Sequence, residues 1–344
     1  MHTMKKSLLA LAAIAAVSGS AFAQSSVTIY GRLDQGIAQQ SEAVKNVEIR
    51  QGSGSRLGFR GVEDLGGGLK AFFQMEHRFT PDDGMASSVF WDGKSFVGLR
   101  ASFGDFYIGR EDNPAYALSQ SAGDPWGTDT VAQNTTILSG RIGTNRYANS
   151  LNYRGTFGGL TVGAQIAERA TSSEQNPGST ATPPTTVATG IKAQQVGEDR
   201  PYSLAATYTG GPVTVGVGFE NPADKDAKWT TVNAAYDLRV VKLIGLYGFG
   251  NDNADNEVRG YILGLTAPIG SGELKASYGS LESKAAIGGA KTKLDRQIGL
   301  GYHYALSKRT TLYTDVVNER NDAVRAAGST LKKTGWDVGV KHNF

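Results

Sequence analysis

From Val27 to Phe344 the chain alternates, apolar residue then polar or small residue, in segments of about ten separated by turn signals. A period of two sends successive side chains to opposite sides, so each segment reads as a strand with two unlike faces. In "VTIYGRLDQGIA", Val27, Ile29 and Leu33 share one face, and Tyr30, Arg32 and Asp34 the other. In "GLKAFFQMEHRF", Leu69, Ala71, Phe73, Met75 and Phe79 oppose Lys70, Gln74, Glu76 and Arg78. "LTVGAQIA", "YSLAATYT", "VTVGVGFE", "VRGYILGLTA", "ELKASYGS" and "QIGLGYHYAL" repeat the pattern. The closing "WDVGVKHNF" sets Trp336, Val338, Val340, His342 and Phe344 against Asp337, Gly339, Lys341 and Asn343. The second face reads as Gly, Ser, Thr and charge rather than as another apolar set.

The connections come in two kinds. Short ones hold "EDLGGG", "SFGD", "GTFGG", "TGGP", "YDLR", "PIGSGE" and "LSKRT"; longer polar ones include "TPDDGMASS", residues 111–145, residues 171–200, "GNDNADNE" and "SKAAIGGAKT". Seven short turns separate eight hairpins, which predicts 16 strands. Short turns at one end and long loops at the other are the asymmetry of a closed membrane barrel, whereas a sandwich mixes loop lengths at both ends. Tyr202, Tyr208, Tyr261, Tyr302, Tyr304 and Trp336 fall on the apolar parity, several near strand ends, where amphipathic rings favour the headgroup level. The expected fold is an all-β, 16-stranded antiparallel transmembrane β-barrel. Closure by pairing the last strand with the first gives the terminal Phe344 its place among lipid-facing side chains.

The first residues fit export. Lys5 and Lys6 precede ten apolar residues, Leu8 to Val17, and small residues follow two apart at Ala21 and Ala23. That run falls short of the ~20 residues a membrane helix needs, and the order is that of a cleaved signal peptide over residues 1–23. Residues 24–344 then form the barrel. Removing 23 residues from 344 leaves 321, with 33 basic and 32 acidic side chains. Such balance offers no footprint for nucleic acid. The absence of cysteine excludes disulfides and thiol chemistry, and no later apolar run is long enough for a membrane helix.

Enzyme chemistry finds no seat. His77, His303 and His342 are dispersed on separate strands, and no HExxH, Walker-type or GxSxG stretch occurs. The acidic "DDG" at Asp82 and "NDNADNE" at Asn251 lack calcium-loop spacing and read as solvated loops. No cofactor or metal is expected.

"SSVTIYGRLDQGI", "GSRLGFRGVEDLGGGLKAFFQMEHRF", "FVGLRASFGDFYIGRE", "NSLNYRGTFGGLTVGAQ", "YALSKRTTLYT" and the final "VGVKHNF" together resemble the general porins of the Gram-negative outer membrane, of the beta-proteobacterial kind. The resemblance spans the whole chain after the signal segment. It implies a homotrimer of outer-membrane barrels and a third external loop folded into the lumen. It also implies a C-terminal Phe344 read by the assembly machinery, and passive diffusion of small hydrophilic solutes. Lipopolysaccharide would surround the external loops. One departure is the lack of the family's acidic-aromatic Pro-Glu-Phe-type stretch in the third loop.

For a channel, the decisive charges are those on the lumen parity. On the first six strands these are Arg32, Arg56, Arg60, Lys70, Arg78, Lys94, Arg100, Arg146 and Arg154 against Asp34 and Glu76. Arg60, Arg100 and Arg154 lie close to tight turns and should ring the periplasmic mouth. Arg32, Arg56, Lys94 and Arg146 stand seven to nine residues from that end, about 18 to 23 Å up. Arg56, Lys94 and Arg146, helped by Arg32 and Arg78, are therefore expected to face the constriction-loop carboxylates Glu111, Asp112, Asp124 and Asp129. The resemblance places constriction arginines at Arg56 and Arg146 as well. A basic cluster in a narrow lumen favours anions, so mild anion preference is expected. The alternatives are a substrate-selective anion channel, which would need an aromatic track or dedicated site, and a surface adhesin whose pore is incidental.

Overall fold

The computed structural model of the chain describes residues 26–40, 47–168, 199–320 and 334–344. The signal segment expected at 1–23 and nearly all of the loop expected at 171–200 lie outside the described residues.

The strands are β1 (Ser26–Gln39), β2 (Glu48–Arg50), β3 (Ser55–Gly66), β4 (Leu69–Phe79), β5 (Ser95–Ala101), β6 (Gly104–Asp112), β7 (Arg146–Phe157), β8 (Leu160–Ala167) and β9 (Tyr202–Gly210). There follow β10 (Val213–Asn221), β11 (Lys228–Asp237), β12 (Lys242–Asn251), β13 (Glu257–Ile269), β14 (Gly272–Lys284), β15 (Lys291–Ala305), β16 (Thr310–Arg320) and β17 (Thr334–Asn343). Apart from β2, a three-residue pairing of the first loop with the top of β1, they form one closed antiparallel barrel of 16 strands. All seven short turns fall where the turn signals put them, from Gly66 between β3 and β4 to the Leu306–Thr310 turn between β15 and β16.

Closure is made by β1, which serves two neighbours. Ser26 to Arg32 pair with β3, and Arg32 to Gln39 pair with β17. Phe344 completes the seam: its N–H donates to the Gly31 carbonyl (3.1 Å), and Gly31 N–H donates back to the Phe344 carbonyl (3.0 Å). With no open edge, each of the 16 barrel strands has a paired neighbour on both sides, the condition for unsupported backbone in hydrocarbon.

The two faces separate as the alternation predicts. On β1, Ile29 is 62 % exposed while Asp34 is 1 % exposed. Outward Leu57, Val97, Leu151, Leu204, Val232, Leu263, Leu300 and Val340 continue the apolar surface round the wall. So much apolar area turned outward suits lipid rather than water.

The lumen face departs from expectation in one arc. On β11 to β14 the inward positions hold Trp229, Leu246, Val258, Ile262 and Leu281, all fully buried, so a second apolar set does exist. The third loop explains it. β6 runs through Asp112 and β7 begins at Arg146, so this loop covers 113–145 rather than 111–145. It turns into the barrel through helical turns at Tyr116–Gln120, Ser121–Gly123 and Thr135–Leu138. Ile137 and Leu138 enter the apolar arc, and Trp229 Nε1 donates to the Leu138 carbonyl at 2.7 Å. Each such side chain contributes about 1.5–3 kcal/mol by leaving water. A buried indole N–H needs an acceptor, and the loop backbone supplies one.

Polar clamps extend this docking to the last strands. Trp126 Nε1 donates to Asp315 Oδ1 (2.6 Å), Val131 N–H to Asp337 Oδ2 (2.9 Å), and Gln297 Nε2 to the carbonyls of Ala132 (2.8 Å) and Gln133 (2.9 Å). The loop thus lies against the arc from β8 to β17, leaving the passage beside β1 and β3 to β7.

Candidate functional site

On the open side, register builds a row of like charges. Arg32 on β1 stands opposite Arg56 on β3, and Arg56 stands opposite Arg78 on β4. Directly opposed like charges on a sheet repel, so the row requires counter-charges. Two carboxylates supply them. Glu76, two residues below Arg78 and almost fully buried, holds Arg78 Nη2 at 2.6 Å and lies 4.0 Å from Arg56 Nη1. Asp129, brought in by the third loop, lies 3.3 Å from Arg32 and 3.3 Å from Lys341 on β17.

The row continues at the same height. The Glu76 N–H donates to the Lys94 carbonyl at 2.7 Å, which seats Lys94 beside β4 at the head of β5. Its ammonium contacts Glu111 Oε1 (2.5 Å) and Asp112 Oδ2 (3.2 Å), and Asp112 Oδ1 contacts Arg146 Nε (2.6 Å) across the β6–β7 register. These carboxylates reach the lumen through a bulge at the top of β6, where the register shifts between Gly109 and Glu111. Gly109 has φ 135°, a region that side chains avoid, and a Cβ there would stand 2.1 Å from the Ser95 carbonyl oxygen. The bulge also turns Arg110 inward, where Nη2 holds Asp92 at 2.9 Å.

The structure therefore brings together Arg32, Arg56, Arg78, Lys94, Arg146, Glu111, Asp112 and Asp129. It does not include Asp124. That residue is 4 % exposed inside the loop, where its carboxylate accepts from the N–H groups of Trp126 (3.3 Å), Thr128 (3.0 Å) and Asn134 (3.3 Å) and from Asn134 Nδ2 (3.0 Å). Asp124 shapes the loop rather than facing the passage, a correction to the sequence reading. Burial pushes its carboxyl above the usual carboxylate range, against those donors.

Arg110 and Lys341 escaped the parity reading. The first is hidden by the bulge, which breaks the alternation. The second lies on the last strand, beyond the first six strands considered, although its parity was legible. With them the belt has seven bases, namely Arg32, Arg56, Arg78, Lys94, Arg110, Arg146 and Lys341. Five carboxylates oppose them, from Glu76, Asp92, Glu111, Asp112 and Asp129, which leaves two formal positive charges in excess.

Nearer the short turns, Arg60, Arg100 and Arg154 line one recess of the inner wall. Arg100 forks onto Asp105 with two 2.8 Å hydrogen bonds. Arg60 lies 5.3 Å over the Tyr30 ring. Among the described residues no group of three or more His, Asp or Glu is placed to hold a metal ion.

Three comparisons bear on this geometry. A family model described as Gram-negative porin matches residues 10–324. Outer membrane porin protein 32 of Delftia acidovorans is 33 % identical over 380 aligned positions, covering 99 % of this chain and 100 % of the relative. Among solved structures, an anion-selective porin from Comamonas acidovorans superposes with a TM-score of 0.71 at 27 % identity, covering 93 % of this chain and 100 % of that one. OmpT of Vibrio cholerae, in its trimer form, shares the fold with a TM-score of 0.67 at 14 % identity, covering 93 % and 99 %.

Proposed function

Because the chain belongs to the Gram-negative porin family, and so is an outer-membrane channel rather than an enzyme, we propose that its passage is mildly anion-selective and that the belt from Arg32 to Arg146 sets this preference. Small hydrophilic solutes cross it down their own gradients, with no cofactor. What carries the selectivity reading is the in-register row Arg32, Arg56 and Arg78, with Glu76 and Asp129 too few to neutralise it. In a lumen flanked by low-dielectric walls, a net positive belt concentrates anions and repels cations. The anion-selective porin of similar fold supports the same reading.

The functional unit we infer is a homotrimer, with Phe344 as the assembly signal and lipopolysaccharide round the external loops. The reversal potential across a planar bilayer in a KCl gradient tests the selectivity. Anion preference that shrinks in the double variant Arg56→Ser, Arg146→Ser is the expected outcome. Cation preference in the parent, or no change in the variant, removes the belt from the account.

A further inference from the structure

Below the belt, three aromatic rings face the water-filled side of the wall, where the strand pattern alone would put polar groups. Phe72 on β4, Phe96 on β5 and Tyr107 on β6 have ring centroids 5.9, 5.8 and 4.9 Å apart in the pairs Phe72–Phe96, Phe72–Tyr107 and Phe96–Tyr107. Gly98 makes the grouping possible. It lies in register between Phe72 and Tyr107, and a Cβ there would stand 2.3 Å from Tyr107 Cβ. The third loop packs on the arc from β8 to β17 instead, so it does not cap these rings. Phe72 is buried by its neighbours, while Phe96 and Tyr107 are half-buried and line the recess.

The same recess, about 410 Å³, is rimmed by Arg60, Arg100 and Arg154. Arg100 lies 4.9 Å over the Phe72 ring and is held by Asp105, so it serves as wall. Arg60 and Arg154 have no carboxylate within 4.0 Å among the described residues, which leaves their charge for a solute. The volume lies in the ~300–1,000 Å³ range of small-molecule sites, and aromatic rings beside a few convergent polar groups are the usual lining of one.

We propose that this recess is a binding subsite for monocyclic aromatic carboxylates. The ring stacks on Phe96 and Tyr107, and the carboxylate meets Arg154 and Arg60. The cations supply charge selection and the rings supply shape selection, since aromatic pairs favour offset or edge contacts that an aliphatic ring makes less well. The proposal rests on the channel reading and adds to it a preference among organic anions, entered from the periplasmic side.

The test is reduction of single-channel KCl current by benzoate, compared with cyclohexanecarboxylate, which has the same charge and similar size but no π face. KCl conductance without either probe tests the channel itself, so its absence would mark failure of that reading rather than of the subsite. In the wild type, benzoate is expected to reduce the current at three- to tenfold lower concentration than cyclohexanecarboxylate, about the size of a ring-stacking contribution, and more strongly from the periplasmic side. Tyr107→Leu and Phe96→Leu should each abolish that ratio while keeping KCl conductance. Arg154→Gln should weaken both probes about equally. Equal potency of the two probes on wild-type channels overturns the proposal, whether or not the variants fold.

Discussion

Arg56 and Arg78 face each other across β3 and β4, yet Glu76 gives Arg78 a 2.6 Å contact and leaves Arg56 at 4.0 Å. The two arginines therefore do different work. Arg78 neutralises a buried carboxylate, whereas Arg56 keeps most of its field for the passage.

Substituting them should separate the roles. Arg56→Gln is expected to lower the anion-to-cation permeability ratio about twofold or more at low salt, with little loss of barrel stability. The effect should fade near 1 M salt, where the screening length is only about 3 Å. Arg78→Gln strands Glu76 without its closest partner and should reduce the heat stability of the folded barrel on gels. Equal effects of the two variants on selectivity and on stability would contradict this division.

Loop docking gives a second expectation. Asp315 accepts from Trp126 Nε1 (2.6 Å) and lies 3.1 Å from His303 Nε2, while Ile137 fills the apolar arc. Ile137→Ala should cost about 2–5 kcal/mol of docking. Asp315→Asn weakens the indole bond and the histidine contact. Both variants are expected to show noisier open-channel current and a larger mean conductance. Quiet, unchanged channels would mean that the loop is held by something else.

The loop should also respond to pH through Asp124. Burial raises its carboxyl in the folded state, so the folded loop holds a proton more tightly than the unfolded chain does. That contribution is complete below the unfolded value of about 3.9 and is lost as pH rises through the folded value. Hydrogen exchange at Trp126, Thr128 and Asn134, corrected for intrinsic rate, should show protection falling over the interval above about pH 4. Protection that rises over this interval would refute the assignment.

The seam makes a fourth case. Phe344 and Gly31 exchange two backbone hydrogen bonds, and the phenyl ring fills the place of a Gly31 side chain, with Cζ 2.3 Å from where a Cβ would lie. Gly31→Val must displace that ring. Refolding of the denatured variant into lipid vesicles, followed by gel mobility, should yield less closed barrel than the parent. Phe344→Ala should fold more readily than Gly31→Val, because it removes the clash partner rather than adding one.

Much of this was legible in sequence because lipid on one side and water on the other impose a strict period of two. Turn glycines such as Gly66 and Gly158 marked the short ends, and parity alone put Arg32, Arg56 and Arg78 on the lumen face. Three things were not legible, each for a reason. Arg110 lies at a bulge, where period two fails. Asp124 sits in an irregular loop, where no periodicity tells an inward carboxylate from one turned to the passage. Trp229, Ile262 and Leu281 were on the lumen parity all along, and only the docked loop explains why they are apolar. A cluster of apolar residues at lumen positions on consecutive strands, together with an Ile-Leu pair in a long loop, was the signal that could have announced the docking.

Seating Ile137 and Leu138 on Trp229, Ile262 and Leu281 has a further result. The side chains that decide how wide the bore is are also those that brace that flank of the cylinder. Mutants selected for faster uptake through this arc should therefore be more fragile ones, and permeability and durability cannot be adjusted independently there.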